Sequence, residues 1–584
     1  MPETLIDALV EAAEVRGLGV TFWDKPGKSE HLPYSTILED ALRVAYGLRE
    51  KGLVPGERVA IILPTGPDFY RSFYGVLLAG GVPTALYPPL RLGRVEEWKE
   101  RTTRMLVNAE AVGLITSNTL MGMCGTPVTR ANPRLGILNT STLAKRDQTY
   151  GSVEIHREDL AAVQFSSGST GNPKAVALTH GNMLSNARAI VDSLPGDWNT
   201  HSCVSWLPLY HDMGLIGCMI SAMVAKCPLT LLRPERFVAR PHLWLQAISE
   251  TKATISVAPN FAFGLATNRI KDRDLVDVDL STWQIALCGA EPVHRSTLEN
   301  FAERFSAIGF EERALTPVYG LAEATLAVTF SSPDEPPVWK RFDSDALVEE
   351  GCAKPMANGR DLASVGKPLP GVSVSMRSAT GHELPEGRVG NVWVKGPGIM
   401  KGYLDCPEAN AEIFDTDGWL NTGDTGFLFE GELFLCGRTK DLIIINGRNH
   451  DPALVEDSLH GLAGLRAGCV SAFALTDSES GTEGLGLVAE TRVEDPGARQ
   501  ELECDIIARV QESTGLRVSY LELTSPGTLP RTSSGKIRRQ ETRKRVLAGC
   551  LSAPKSVGRG TFLKETLRGL WSQATATLPK KRSA

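Results

Sequence analysis

From Arg58 to about residue 330 the hydrophobic period keeps switching, and that alternation limits the fold more than any other feature. RVAIILP (Arg58 to Pro64) is a short apolar run of strand type. Phe69, Phe73, Val76 and Leu77 then recur at helical spacing up to the Gly80 and Gly81 break, and VPTALYPP (Val82 to Pro89) is short and apolar again. Apolar strands alternating with helices predict an α/β fold class: a large N-terminal domain of layered α/β subdomains with largely parallel strands. Ahead of this body, TILE (Thr36 to Glu39) reads as a capping box and Gly52 as a stop. Together they predict a helix carrying Leu38, Ala41, Leu42 and Leu48. A chain of 584 residues exceeds what one core supports, so at least two domains are expected.

The texture changes at about 331–365, which is polar, Pro-rich and weakly periodic, and is read as an insertion or long surface loop (about 332–363). From Val365 to about Phe434, short β-like runs (VSVSM, VGNVWV, ELFLCG) alternate with glycine turns and predict a small β subdomain. GRTKDLIIINGRN (Gly437 to Asn449) is the expected border, giving a first domain over 1–438 and a small α+β domain over 439–545. Residues 546–584 form a basic tail with seven Lys/Arg against one Glu from Gly549 on. Within it Leu563, Leu567, Leu570 and Trp571 share one helical face, read first as a helix docked on its own protein.

Bulk properties exclude several classes. A net charge of −6 offers no footprint for nucleic acid. There is no run of 18 apolar residues, so no membrane span is expected. MPETLIDALVEAAEVRG has neither a basic leader nor a signal-peptide core. The 11 cysteines show no CxxC spacing and read as reduced thiols, which points to a cytoplasmic setting. No HxxxH pair supports zinc.

Chemistry concentrates in six stretches. SSGSTGNPK (Ser166, Ser167, Gly168, Ser169, Thr170, Gly171, Asn172, Pro173, Lys174) follows an apolar run and has the make-up of a phosphate clamp. Glycines let backbone N–H groups approach an anion, and Lys174 adds charge. It is not a Walker A loop, because Pro173 stands where that motif has Gly. WLPLYHDMGLIG (Trp206 to Gly217) sets His211 beside Asp212 in an apolar run. YGLAEAT (Tyr319 to Thr325) offers an aromatic face for a base and Glu323 as a hard oxygen ligand for Mg²⁺. Asp424, ending WLNTGD, could accept from both hydroxyls of a ribose, and Arg438 in GRTKD carries a planar donor fork. LPRTSSGKIRR (Leu529 to Arg539) presents Lys536 on a Ser/Gly loop. Each stretch alone is equally well a turn, a core histidine or a surface charge.

In this order, over about residues 1–545, the stretches resemble the adenylate-forming superfamily of acyl-CoA synthetases, luciferases and adenylation domains. Within it the chain is most similar to fatty acyl-AMP ligases. VQFSSGSTGNPK, LPLYHDMGLIG, APNFAF (Ala258 to Phe263), GRNHDP (Gly447 to Pro452) and the insertion ending in AKP (Ala353 to Pro355) carry that likeness. The resemblance implies a hinge near Lys440 and a mobile C-terminal domain. It implies ATP phosphates on Ser166 to Lys174, and adenine on Gly289, Ala290, Glu291 and Pro292 with Tyr319, Gly320 and Leu321. It further implies ribose on Asp424 and Arg438, Mg²⁺ on Glu323, and catalysis by Lys536 with His211. An acyl pocket is expected near Met213, Ala258 and Phe261. Expected reactants are ATP, a medium- or long-chain fatty acid and the phosphopantetheine thiol of an acyl carrier protein; CoA as acceptor, or amino-acid adenylation through Asp212, are the alternatives. Ala175 after Lys174 departs from the superfamily's usual Gly, and Ala322 stands where CoA ligases commonly have Thr before the Glu and acyl-AMP ligases have Ala.

Overall fold

The computed structural model describes residues 2–89, 94–143, 153–166, 173–445, 448–476, 483–532 and 536–553. A nine-stranded sheet organises the first domain. Its order is Lys367–Pro368, Ala327–Phe330, Leu315–Gly320, Ile285–Cys288, Ile255–Ala258, Cys203–Ser205, Leu229–Leu231, Gly19–Lys25 and Lys28–Pro33. The run from Leu315–Gly320 through Gly19–Lys25 is parallel throughout, with antiparallel strands only at the two ends. Ile255–Ala258 and Ile285–Cys288 are buried at every position, as strands covered on both faces must be. A second, four-stranded parallel sheet has the order Val82–Ala85, Arg58–Ile62, Gly113–Thr116, Ile137–Asn139.

Two expectations need correction. The helix assigned to start at Thr36 runs over Tyr34–Glu50, with Pro33 at its N-cap and no side-chain cap bond. Tyr34 is fully buried and its N–H donates to the Leu18 carbonyl at 2.9 Å, so packing draws the helix start back past the capping box. The Pro-rich insertion is not a loop. Trp339–Phe342 pairs antiparallel with Arg360–Ala363, and Phe342 is fully buried with Phe427, Phe429 and Phe434 at ring distances of 4.9, 5.3 and 5.4 Å. The partners of Phe342 come from the β subdomain some ninety residues on, so no local period could announce this core.

The β subdomain is a four-stranded sheet of Ser373–Arg377, Gly390–Lys395, Leu420–Phe429 and Glu432–Arg438. The last fully buried member of the large apolar core is Leu433; a separate core begins at Ile443 with Val455, Leu485, Leu487, Leu502 and Ile506. Arg438–Asp441 lies between them. The C-terminal domain is α+β, with Leu465–Thr476, Glu483–Thr491 and Val518–Thr524 in one sheet against Pro452–Ser458 and Pro496–Thr514. The tail's proposed helical stripe (563–571) lies outside the described residues. Among those described, no helix is long and apolar enough to cross a membrane.

Candidate active site

Four neighbouring parallel strands end on one edge of the central sheet, where open α/β sheets bind ligands. Cys203–Ser205 runs into Trp206 to Asp212, Ile255–Ala258 into Phe261, Ile285–Cys288 into Gly289 to Pro292, and Leu315–Gly320 into Leu321 to Glu323. The register pairs Val204 with Ser256, Ala258 with Cys288, and Cys288 with Pro317, so the four exits stand side by side. Two glycines are required there. A Cβ on Gly289 would sit 2.7 Å from the Val318 carbonyl oxygen, and one on Gly320 only 1.8 Å from that of Leu326. Backbone strain is stored beside them: Ala290 and the β-branched Thr325 both have φ of 68°. Conformations of this kind cost about 1–3 kcal/mol each and persist only where the surroundings enforce them. At Thr325 the hydroxyl donates to the Gly398 carbonyl at 2.6 Å and helps hold the turn that presents Glu323.

The ribose end is a three-residue network. Asp424 is buried, accepting from the Tyr319 hydroxyl at 2.6 Å and from the Arg438 Nε at 2.8 Å. Asp424 and Arg438 are direct partners across the antiparallel ladder, which aims both side chains to the same face. Asp424 lifts the Arg438 guanidinium above its ordinary value, and burial with the adjacent carboxylate pushes the Tyr319 phenol up. The site therefore holds a carboxylate with a guanidinium and a phenol donor already placed on it. The Glu291 carboxylate is turned to the Phe261 N–H at the start of the helix Asn260–Arg269, and burial raises its pKa. Glu291 thus joins the GAEP turn to the helix carrying the expected acyl-pocket residue.

At the phosphate end, Ser166 and Lys174 are paired across an antiparallel hairpin, Leu160–Ser166 with Lys174–Thr179. The clamp thus connects two strands of a small separate sheet, rather than a parallel strand and its crossover helix. Ser167, Gly168, Ser169, Thr170 and Gly171 lie outside the described residues. The Lys174 ammonium rests 4.5 Å from the Tyr403 ring centroid, and the Tyr403 hydroxyl donates to Glu323 Oε1 at 2.8 Å. One tyrosine, missed in the sequence, thereby ties the phosphate lysine to the candidate metal ligand. Burial, then Glu323, drives its phenol far up, so it is a donor at any working pH. Among the described residues no three His, Cys, Asp or Glu cluster as a metal cage. Glu323 offers one hard-oxygen ligand, which fits an ion carried mainly by phosphates and water, as Mg²⁺ is.

The C-terminal domain supplies the lid. Lys536 is set among Asp212, Glu291, Asp424 and Arg438, whose charges all act on its ammonium; burial, then Arg438, pulls its pKa down while the carboxylates oppose. The helix that follows it, Arg539–Leu547, is braced by Arg539, which makes two 2.7 Å bonds to the Glu456 carboxylate, and by Gln540, whose Nε2 donates to the Lys440 carbonyl at 3.0 Å. Neither brace was legible in the sequence.

On the far side His211 Nδ1 lies 2.5 Å from Asp212 Oδ1, and Asp212 also accepts from the Met213 N–H at 2.8 Å. Burial works against the Asp212 charge, but His211, Lys536 and that N–H hold its carboxyl below the usual range. Met213 opens a π-helix, Met213–Ile220, a rare element often found at functional sites. Met213 and Ala258 are buried in the same apolar core, against which Phe261 packs. Phe261 meets Trp206 edge-on at 6.1 Å, and Trp206 stacks on Phe237 at 3.8 Å.

A model of AMP-binding enzymes matches residues 11–404. The chain belongs to the AMP-binding enzyme family. Among its relatives, the Mycobacterium tuberculosis protein named long-chain-fatty-acid–AMP ligase FadD23 is 33% identical over 545 residues, covering 89% of this enzyme and 91% of the relative. A Caulobacter vibrioides chain, provisionally named an acyl-CoA synthetase, is 34% identical over 556 residues, covering 94% and 96%. A solved structure from a study of fatty acyl-adenylate ligases of E. coli and L. pneumophila superposes with a TM-score of 0.88 at 34% identity, covering 94% of this enzyme and 98% of that chain. The enzyme is thus an ATP-using, adenylate-forming ligase with a large N-terminal and a smaller C-terminal domain, grouped with the fatty acyl-AMP ligases.

Proposed function

We propose that the enzyme joins a medium- or long-chain fatty acid to the α-phosphate of ATP, releasing pyrophosphate, and then passes the acyl group to the phosphopantetheine thiol of an acyl carrier protein, breaking the acyl–phosphate bond and releasing AMP. One observation carries this: Lys536, from the far domain, lies within electrostatic reach of the Asp424–Arg438 pair and of Asp212. A carboxylate attacking a polyphosphate is an anion meeting an anion, so preplaced positive charge is the main lever on the barrier. Lys536 supplies that charge between nucleophile and phosphorus. Asp424 receives the ribose hydroxyls, Tyr319 and the strained GAEP turn flank adenine, and Lys174 with the Ser166 side of the hairpin faces the β- and γ-phosphates. Mg²⁺ on Glu323 would neutralise the departing pyrophosphate. The Trp206, Met213, Ala258 and Phe261 surroundings take the acyl chain, with His211 at its carboxyl end.

Amino-acid adenylation is disfavoured, because Asp212 Oδ1 is engaged by His211 and the Met213 N–H and the same carboxylate already faces the Lys536 ammonium. The free cysteines fit a reducing, cytoplasmic setting. Incubation with ATP, Mg²⁺ and laurate should yield acyl-AMP and pyrophosphate, and addition of a phosphopantetheinylated carrier should consume the adenylate. Rapid consumption by free CoA instead would assign a CoA synthetase; exchange of pyrophosphate with amino acids but not fatty acids would overturn the substrate class.

A further inference from the structure

A cluster of arginines at the domain boundary has no part in the chemistry above. Arg101 and Arg104 are three residues apart on the helix Val95–Asn108 and share a face with Asn108, whose Nδ2 donates to the Pro173 carbonyl at the end of the phosphate hairpin loop. The Arg101 guanidinium lies 5.4 Å from the Tyr87 ring centroid, and its Nε is buried with no partner among the described residues. Tyr87 in turn meets Tyr210, the residue before His211, at 6.4 Å.

From the other domain comes Arg538. It stands two residues beyond Lys536 and immediately before the helix Arg539–Leu547, which Arg545 ties to Glu97 on the helix Val95–Asn108. Burial and repulsion from Arg101 pull the Arg538 guanidinium below its ordinary value. The nearby carboxylates are already spent. Glu97 is bonded to Arg545 at 2.8 Å and lies 3.4 Å from Arg94, and Glu541 is bonded to Arg545 at 2.7 Å. Among the described residues none of the three arginines has a carboxylate within ion-pair distance.

Resting on the adenylating function, we propose that Arg101, Arg104 and Arg538 form a holding site for pyrophosphate on its way out of the phosphate loop. Planar guanidinium forks around one crevice match a compact polyanion with several oxygens. Asn108 ties the helix Val95–Asn108 to the Pro173 carbonyl, so Arg101 and Arg104 stand on the helix that borders the phosphate hairpin. Because Arg538 stands two residues from Lys536 in the same domain, any movement that withdraws the lysine also dismantles the site and frees the anion before a thiol enters. An acidic carrier surface is a poorer match, since Arg101 and Arg538 are half-buried between the domains.

Calorimetric titration of the full chain with magnesium pyrophosphate, in the presence of a non-hydrolysable acyl-adenylate mimic, tests this apart from turnover. Arg538→Gln and Arg101→Gln should each weaken pyrophosphate binding about tenfold, the scale of one charge-assisted contact, and raise its product-inhibition constant in parallel. Unchanged affinity in both variants, with unaltered melting, would overturn the proposal. So would an equal rise in the KM for ATP, which would put the arginines on substrate, or loss of phosphopantetheine binding while pyrophosphate binding stays intact. Absence of acyl-AMP formation by the unaltered enzyme would instead sink the functional reading above.

Discussion

The two walls of the active site are held by different physics. The floor belongs to a core of fully buried strands, and its polar groups are fixed by short internal bonds such as Tyr319 to Asp424 at 2.6 Å. The lid is held to it by polar contacts across the boundary. Arg94 donates to the Thr528 carbonyl at 2.8 Å, Arg545 to Glu97 at 2.8 Å and Arg360 to Asp451 at 2.7 Å, while His294 sits 3.2 Å from Asp457. Apolar burial is costly to undo; the more exposed of these pairs, Arg545 with Glu97 and His294 with Asp457, are screened by salt and individually weak, whereas Arg360 with Asp451 is buried. This difference supports the proposal that the second domain moves while the floor stays.

The largest expected effect separates the walls chemically. Lys536→Ala should slow acyl-AMP formation by about 10²–10³, the penalty for removing one preorganised charge-stabilising donor. A rate within threefold, read by pyrophosphate exchange, would take Lys536 out of the mechanism. Asp424→Ala strips the floor of the acceptor shared by Tyr319 and Arg438, and kcat/KM for ATP should fall by about 10–10², the worth of one or two bonds to a charged group. Thiol capture of preformed acyl-adenylate would then suffer less than adenylation.

Protonation sharpens the contrast, because the walls respond to pH in opposite directions. His180 lies in the first-domain core, where its Nδ1 accepts from the Leu5 N–H at 3.1 Å and burial lowers its pKa from 6.5 to about 4. The unfolded chain therefore takes up the proton first, and floor stability should fall as pH drops from about 6.5 to about 4, by up to about 3 kcal/mol, then level off. For His294, burial acts against the charge but Asp457 overrides it, and the net shift is upward. Its contribution to docking is complete below the ordinary histidine value and is lost as pH rises through the raised one. Protease access to the second domain should thus increase from pH 6.5 towards 9 and with salt, while thermal melting of the first domain worsens on the acid side. Parallel trends in both domains would erase the distinction. The smallest expected effect is Tyr403→Phe, which keeps the ring under Lys174 but loses the bond to Glu323. Adenylation should slow about fivefold, the cost of one hydrogen bond, with a rise in the Mg²⁺ requirement; an unchanged Mg²⁺ dependence would remove Tyr403 from the metal end.

Much of this was legible because the chemistry is written in short strings. Ser166 to Lys174, Gly289 to Pro292, Tyr319 to Glu323, Asp424, Arg438 and Lys536 all stand in such strings, and the parallel α/β body follows from its hydrophobic period. What escaped depends on partners far apart in the chain. Tyr403 gains its meaning only from Glu323, eighty residues earlier, and from Lys174. Arg539 reads as one of several charges until Glu456 closes on it. The insertion hid its fold because Phe342 packs against Phe427 and Phe434 rather than against its own neighbours.

A structure with a non-hydrolysable acyl-adenylate mimic bound tests the convergence of the two walls most directly. The ribose hydroxyls should sit on Asp424, with the Lys536 Nζ within about 2.6–3.2 Å of the group replacing the α-phosphate. A mimic bound away from the Asp424–Arg438 pair, or a Lys536 turned out of reach with the lid docked as described, would contradict it.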